Sequence, residues 1–215
     1  MYSTFLFDLD GTLTDPFEGI TGSLQFALER LGAPVPTAQD LRWCIGPPLW
    51  HSFRVLLETD DQQKLDEAVA IYRERYSVTG LFENKVIDGI PELLNDLKSK
   101  GVKMHVCTSK AHTYAGKIVE HFGLRPFFGS VYGSELDGTR SAKTELIHHI
   151  LEQERLAPSE VEMVGDRKQD LVGANTNQVA GVGVLWGFGS REELQAETPV
   201  LIAEKPADTS GILKK

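Results

Sequence analysis

Short apolar runs alternate with amphipathic helical segments along the chain from residue 81 onward. Runs such as "KMHVC", "VEMVG" and "VAGVGV" are apolar apart from isolated residues, which is typical of strands buried in a parallel sheet. The segments between them, such as "IPELLNDLKSKG", have Pro near the start and Gly after the end, which are helix boundary signals. The alternation predicts a doubly wound, Rossmann-like α/β fold with a parallel sheet covered by helices on both faces.

The strand pattern is interrupted once, after the first predicted strand. That strand is residues 2–7, and the later ones are residues 102–109, 130–135, 161–166 and 179–187. Between residues 16 and 80 the pattern is helical, because "FEGITGSLQFALERLG" and "DDQQKLDEAVAIYRERYSV" repeat apolar residues every three or four positions. A further short helix is predicted from Thr37 through Ile45. We therefore predict a core domain of residues 1–15 plus 81–215 and a small α-helical domain, residues 16–80, inserted into it.

The net charge of the chain argues against two classes of partner. Its 215 residues include 31 Asp and Glu but only 22 Lys and Arg, for a net charge of −9, so phosphate backbones and anionic lipids would be repelled. No apolar stretch approaches the roughly 18 residues of a membrane span, and Cys44 and Cys107 form no metal-ligand spacing. We expect a cytoplasmic protein, a monomer or a homodimer, that binds neither nucleic acid nor membranes.

Polar side chains follow three of the predicted strands. Because the carboxyl ends of parallel strands meet at one edge of a sheet, where such folds bind ligands, these side chains are expected to converge. The set is Asp8 and Asp10 after "FLF", Thr108 after "HVC", Asp166 and Asp170 in "GDRKQD", and Lys143 at the start of a predicted helix. Buried carboxylates repel one another unless a cation lies among them. Mg²⁺ binds one or two protein carboxylates together with phosphate oxygens and is therefore the expected metal.

The order of these residues resembles the motifs of the haloacid dehalogenase-like hydrolases. "DLDGTLT" at residues 8–14 is similar to the first motif of that family, Thr108-Ser109 to the second, Lys143 to the third and "GDRKQD" to the fourth. The inserted helical domain resembles the type I cap of the family, and "CIGPPL" and "TSK" resemble its phosphoglycolate phosphatase-like group. Dehalogenases of the family lack a carboxylate two residues after the nucleophile, so Asp10 favours phosphate chemistry.

The resemblance implies a role for each residue of the core domain. Asp8 would attack phosphorus and form an aspartyl-phosphate, while Asp10 would protonate the leaving alcohol and then activate water. The implied Mg²⁺ ligands are Asp8, the backbone carbonyl of Asp10 and Asp166. Asp170 would support these ligands from behind. Lys143 would be the third catalytic residue and would pair with Asp8 and the transferring group. The residues implied in phosphoryl binding are Gly11, Thr108 and Ser109.

Residues of the helical domain are expected to select the substrate, because a cap supplies part of the pocket wall. The candidates are Arg42, Gly46, His51 and Arg54, with Lys110 from the core domain. A cap arginine would suit a small anionic substrate such as 2-phosphoglycolate. The sequence thus predicts a Mg²⁺-dependent phosphatase for a small phosphorylated metabolite, similar to phosphoglycolate phosphatase. A 5′-nucleotidase, a pyrophosphatase, a β-phosphoglucomutase-like phosphomutase and a non-catalytic binding domain are the alternatives.

Overall fold

The computed structural model of the protein describes residues 2–210. It contains two compact units. The core unit combines the residues up to Asp15 with those from Val86 onward, and the helical unit is Pro16–Lys85. Residues 1 and 211–215, which the predicted core domain includes, lie outside the described residues. Within residues 2–210, no helix has the length and apolarity needed to cross a bilayer.

The core unit is built on a six-stranded parallel sheet. The strands in chain order are β1 (Thr4–Phe7), β2 (Thr14–Asp15), β3 (Lys85–Val86), β4 (Lys103–Ala111), β5 (Ser130–Ser134), β6 (Val161–Gly165), β7 (Ala180–Val184) and β8 (Leu201–Ala203). The helices are α1 (Phe17–Arg30), α2 (Leu49–Leu56), α3 (Gln62–Arg75), α4 (Ile90–Ser99), α5 (His112–His121), α6 (Lys143–Glu154), α7 (Lys168–Thr176), α8 (Arg191–Gln195) and α9 (Pro206–Thr209). The sheet order is β5-β4-β1-β6-β7-β8 with parallel pairing throughout, and β2 pairs with β3 in a separate two-stranded sheet. The predicted doubly wound α/β fold is confirmed.

The strand order reverses at β1, in the middle of the sheet. The chain adds β4 and β5 on one side of β1 and then β6, β7 and β8 on the other side. In doubly wound sheets such a reversal opens a crevice at the carboxyl ends of the central strands, because the flanking connections diverge to opposite faces. The carboxyl ends of β1, β4 and β6 therefore mark the expected ligand site.

β1 is buried on both faces of the sheet. Its side chains point alternately to the two faces, and each face is covered by apolar residues. Leu6 belongs to a buried cluster with Cys107, Met163 and apolar residues of α6 and α7. The ring of Phe7 packs edge-on against Phe128, with 6.2 Å between the ring centroids. Burial raises the pKa of the Cys107 thiol to about 12, so this residue acts as a small apolar side chain of the core.

The helical unit ends five residues later than the sequence boundary at residue 80. α1 packs closely against the segment after α3, because a Cβ on Gly19 would lie only 2.0 Å from the Gly80 carbonyl oxygen. Gly19 N–H also donates to the Glu83 carbonyl at 3.1 Å. The Arg75 guanidinium donates two hydrogen bonds of 2.8 Å to the Glu83 carboxylate. These contacts hold residues 81–85 in the helical unit.

Two local predictions were wrong, and one strand was not predicted. The helix expected from Thr37 to Ile45 is a turn, in which Asp40 N–H donates to the Thr37 hydroxyl at 3.2 Å, followed by a short 3₁₀ helix at Arg42–Cys44. The next residues, Gly-Pro-Pro, prevent its continuation. β4 does not stop at residue 109 but continues to Ala111. β8 was not predicted, because its three residues are too short for a periodic pattern.

An acidic side chain is buried in the sheet at the edge opposite the β1 carboxyl end. Glu162, the second residue of β6, is fully buried, and its register partners are Phe5 on β1 and Ala180 on β7. Neither carboxylate oxygen has a hydrogen-bond partner among the described residues. Burial raises the pKa of this carboxyl group from 4.5 to about 8, because ionisation would leave an unpaired charge in the sheet.

We expect Glu162→Gln to stabilise the protein above pH 5 and to flatten its pH dependence. The folded-state pKa exceeds the unfolded value, so the parent loses stability as the pH rises from about 4.5 through about 8. The loss amounts to at most about 4 kcal/mol at pH 8. Gln has a similar shape and cannot ionise. Urea unfolding at pH 5, 6.5 and 8 measures the effect, with the exposed Glu160→Gln as control. The same pH slope in parent and variant would contradict this expectation.

Candidate active site

Two carboxylates lie at the carboxyl end of β1. The N–H of Asp8 donates to the Val164 carbonyl of β6 at 2.9 Å, so its backbone still belongs to the sheet. Asp10 follows in a tight turn, in which Gly11 N–H donates to the Thr14 carbonyl at 2.7 Å. Gly11 has a φ of +83°, a conformation that favours glycine. The turn fixes both buried carboxylates at the edge of the sheet.

Lys143, the first residue of α6, supplies the positive charge next to Asp8. Its Nζ lies 2.9 Å from Asp8 Oδ1 and 2.9 Å from the Cys107 carbonyl oxygen, and it also contacts Asp170 Oδ1. Burial opposes the charged form of this amine, but the carboxylates of Asp170 and Asp8 outweigh burial and raise the pKa of Lys143. Gly173 of α7 makes this position possible, because a Cβ there would lie 2.8 Å from the Lys143 Cβ.

Asp170 is held in the first turn of α7. Its Oδ2 accepts a hydrogen bond of 3.1 Å from Arg167 N–H, while its Oδ1 contacts the Lys143 ammonium. Burial and the nearby Asp8 raise the pKa of Asp170 to about 6, although Lys143 acts in the opposite direction. A Cβ on Gly165 would lie 2.2 Å from the Asp170 Cγ. Glycine is therefore needed at the end of β6 for the Asp170 side chain to lie there.

Asp166 directly follows β6 and is fully buried. Phe188 N–H donates to its Oδ2 at 2.7 Å, and the Thr12 hydroxyl donates to its Oδ1 at 3.4 Å. Burial, together with the charges of Asp8 and Asp170, holds the pKa of Asp166 well above its usual range. Neither hydrogen-bond donor carries a charge, so this carboxylate lacks the direct compensation that Lys143 gives to its neighbours.

The carboxylates form a group that suits a hard divalent cation. Asp8, Asp166 and Asp170 each offer an oxygen, and these oxygens lie within 4.8 Å of one another. A cation among them would remove the repulsion that raises the pKa of Asp166. Carboxylate oxygens are the ligands that Mg²⁺ prefers in proteins. The residues present thus fit the predicted metal.

Thr108, Ser109 and Lys110 lie in an irregular part of β4. Between the pairs Cys107–Tyr132 and Ala111–Ser134, β4 advances four residues while β5 advances two. Such a bulge redirects the side chains of the extra residues. The three residues therefore lie at the carboxyl end of β4, the strand that pairs with β1.

The bulge also fixes the backbone that was predicted to bind a phosphoryl group. Thr108 is buried and its hydroxyl accepts a hydrogen bond of 3.3 Å from Lys110 N–H. The Ser109 carbonyl accepts a bond of 2.9 Å from the Ser134 hydroxyl. The Lys110 ammonium lies 2.7 Å from Asp10 Oδ2. Lys110 was predicted to select the substrate, and that role stays a prediction, while the structure pairs its ammonium with Asp10.

The four candidates in the helical unit lie on a 3₁₀ helix, on α2 and in the turn between them. His51 and Arg54 are exposed on α2, and Arg54 Nε lies 2.8 Å from Asp60 Oδ1. Arg42 begins the short 3₁₀ helix, and Gly46 adopts a φ of +107° in the turn after it. They belong to a different compact unit from the carboxylates, and their part in substrate selection stays a prediction.

The segment after β7, "WGFG" at residues 186–189, also belongs to the site but was not predicted from the sequence. Trp186 Nε1–H donates to the Thr12 carbonyl at 3.0 Å, and the Phe188 N–H holds Asp166. A Cβ on Gly187 would lie 2.4 Å from the Asp166 Cβ. Two glycines alternating with two aromatic residues directly after a predicted strand were the available signal, because such spacing permits close backbone approach.

Comparisons with known proteins agree with this geometry. A sequence profile of the haloacid dehalogenase-like hydrolases matches residues 5–184. The chain belongs to the haloacid dehalogenase-like hydrolases. A 5′-nucleotidase from Pseudomonas aeruginosa is 52% identical over 198 residues, which cover 92% of this chain and 89% of that protein. The tyrosine-protein kinase PtkA of Mycobacterium tuberculosis is 38% identical over 92% of this chain and 67% of its own length.

A solved structure and a more distant relative carry phosphatase names. A "predicted phosphatase" from Clostridium acetobutylicum is 38% identical and superposes with a TM-score of 0.96 over 100% of both chains. A phosphoglycolate phosphatase from Vibrio parahaemolyticus is 24% identical over 92% of this chain and 90% of that protein. Together these matches support a phosphoric monoester hydrolase as the enzyme class of this member of the family.

We expect Asp166→Asn to raise the melting temperature of the metal-free protein. Asn keeps the shape and can form both hydrogen bonds with Phe188 and Thr12, but it removes one of three mutually repelling acids. The expected gain is about 1–2 kcal/mol, or about 2–8 °C for a chain of this size. Thermal unfolding in excess chelator measures it. A lower melting temperature in the variant would mean that the Asp166 carboxylate is not under repulsion in the metal-free state.

Proposed function

We propose that the protein is a Mg²⁺-dependent phosphatase for small phosphate monoesters, with nucleoside 5′-monophosphates as the first substrate class. The observation that carries this proposal is the pair of buried carboxylates Asp8 and Asp10 at the carboxyl end of β1, with the Lys143 ammonium 2.9 Å from Asp8. Phosphoryl transfer by this route needs a nucleophile, a proton donor and a positive charge. These three residues supply them.

In the first half of the proposed reaction, Asp8 is the nucleophile. One of its carboxylate oxygens forms a bond to phosphorus while the bond between phosphorus and the leaving oxygen breaks. Asp10 transfers a proton to that oxygen, so that a neutral alcohol leaves and an aspartyl-phosphate remains. Lys143 keeps its proton, because Asp8 and Asp170 raise its pKa, and its charge offsets that of the phosphoryl group.

In the second half, Asp10 is the base. Its carboxylate takes a proton from water while the water oxygen bonds to phosphorus, and the bond between phosphorus and the Asp8 oxygen breaks. Inorganic phosphate leaves, Asp8 regains its carboxylate, and Asp10 is protonated for the next turnover. Thr108 and the backbone of Ser109, which lie in the bulge of β4, would bind the phosphoryl oxygens.

Asp8, Asp166 and the backbone carbonyl of Asp10 would hold Mg²⁺, with Asp170 supporting them through Lys143 and the Arg167 N–H. The ion would offset the negative charges that otherwise keep a carboxylate away from a phosphoryl group. The buried group of three carboxylates supports this part of the proposal.

The relatives support one order of substrate candidates. The name 5′-nucleotidase belongs to a relative with 52% identity, whereas the name phosphoglycolate phosphatase belongs to one with 24% identity. Nucleoside 5′-monophosphates therefore come first, and 2-phosphoglycolate is the second candidate, favoured by the resemblance of "CIGPPL" and "TSK" to that group. Both are small phosphate monoesters of alcohols, so the proposed chemistry is the same.

The proposal is tested by Mg²⁺-dependent phosphate release from a panel of nucleoside 5′-monophosphates, 2-phosphoglycolate, sugar phosphates and pyrophosphate. We expect the nucleotides to show the highest kcat/KM and Asp8→Asn to reduce turnover by more than about a thousandfold, since the variant lacks the nucleophile. Chelator should abolish turnover in the parent. The exposed Asp88→Asn, which makes the same chemical change in the core unit, is the control and should retain activity.

Three other outcomes of this assay would contradict the proposal, each in a different way. A sugar phosphate that isomerises only with a catalytic amount of its bisphosphate would indicate a phosphomutase. Phosphate release that survives Asp8→Asn would contradict the aspartyl-phosphate route. A folded, Mg²⁺-loaded protein that releases phosphate from no compound of the panel would contradict the phosphatase and leave a binding domain.

A further inference from the structure

The ion pair between Lys110 and Asp10 is the part of the site that the family motifs did not predict. Lys110 Nζ lies 2.7 Å from Asp10 Oδ2, and both side chains are largely buried, with 8% and 10% of their surfaces exposed. Lys143 is directed elsewhere, to Asp8, Asp170 and the Cys107 carbonyl. Each of the first two acids after β1 therefore has its own ammonium partner.

The fold places Lys110 at Asp10 through the bulge in β4. Lys110 lies inside the irregular stretch between the Cys107 and Ala111 pairings with β5. Gly133 on β5 permits this path, because a Cβ there would lie 2.4 Å from the Lys110 carbonyl oxygen. The sheet thus sets the backbone position of Lys110, from which its ammonium reaches Asp10.

The two oxygens of Asp10 have different surroundings. Oδ2 is bound to the Lys110 ammonium, whereas Oδ1 is buried and accepts no hydrogen bond from the described residues. An Asp carboxylate turns over a broad range about its last torsion angle. Anchoring one oxygen therefore selects one orientation, and it leaves the other oxygen to exchange a proton.

We propose that Lys110 is a positioning residue, which holds the Asp10 carboxylate by Oδ2 so that Oδ1 faces the oxygen of the leaving group. The inference rests on the proposed function, since it assigns the geometry of that proton transfer. As the bond between phosphorus and the leaving oxygen breaks, the proton moves from Oδ1 to that oxygen. Lys110 neither gains nor loses a proton in this step. Proton transfer of this kind depends steeply on alignment.

A matched pair of esters tests this role. 4-Nitrobenzyl phosphate releases an alkoxide that must be protonated, whereas 4-nitrophenyl phosphate releases a phenolate that leaves as the anion. The two differ by one methylene, and neither carries a second anionic group or a sugar. Their kcat/KM values report the steps up to the first bond cleavage, so the later hydrolysis of the aspartyl-phosphate does not enter.

We expect Lys110→Met to reduce kcat/KM for 4-nitrobenzyl phosphate by about a hundredfold or more and for 4-nitrophenyl phosphate by less than about fivefold. Lys110→Arg, which keeps the positive charge, should restore part of the loss. Lys117→Met removes an exposed lysine of α5 and should change neither value. In the Asp10→Asn background, Lys110→Met should not lower kcat/KM for 4-nitrobenzyl phosphate any further relative to that for 4-nitrophenyl phosphate, because the two residues act as a unit.

Other results would overturn the inference in recognisable ways. Equal losses for both esters would assign Lys110 a structural role, and a loss confined to substrates with a second anionic group would assign it to substrate binding. If Asp10→Asn affects both esters equally, the proposed role of Asp10 fails and the inference fails with it. If Asp10→Asn lowers kcat/KM mainly for 4-nitrobenzyl phosphate and Lys110→Met does not, only the inference about Lys110 fails. Hydrolysis of neither ester by the parent enzyme would contradict the proposed function itself.

Discussion

The core unit depends on how the Lys143 ammonium compensates buried negative charge. Only 3% of its side chain is exposed, and it contacts Asp8, Asp170 and the Cys107 carbonyl at once. A buried charge that loses its partner costs several kcal/mol. The elements that carry these groups, β1, β4, α6 and α7, must therefore meet in one arrangement before any of the groups can leave water. This requirement joins segments that are far apart in the chain.

Two buried acids at the carboxyl end of the sheet have a charged partner that the buried acid at the amino end lacks within residues 2–210. At the carboxyl edge, Asp8 and Asp10 each have an ammonium within 3 Å, at 2.9 Å and 2.7 Å. At the amino edge, Glu162 has neither a cation nor a hydrogen-bond donor within the described part of the chain. An acid that must act as a charged group needs such a partner, whereas an acid without a partner can remain in the sheet only when it is protonated.

The sequence was informative where the determinant is local or lies at a strand end. β1, the helices α4 to α7 and the convergence of Asp8 and Lys143 follow from hydrophobic periodicity and from residues next to strand ends. The Lys110 ion pair was missed, because it depends on a two-residue difference in register that Gly133 permits. The hydrogen bond from Phe188 was missed for another reason. Any residue has a backbone N–H, so side-chain identity does not mark it.

Several glycines around the carboxylates contribute only the absence of a side chain. A Cβ would lie 2.2 Å from the Asp170 Cγ at Gly165, 2.4 Å from the Asp166 Cβ at Gly187 and 2.8 Å from the Lys143 Cβ at Gly173. A single methyl group at any of these positions would thus displace a side chain of the site. Transplanting this chemistry to another α/β chain therefore requires copying empty positions as faithfully as the charged ones, although those positions carry no reactive group.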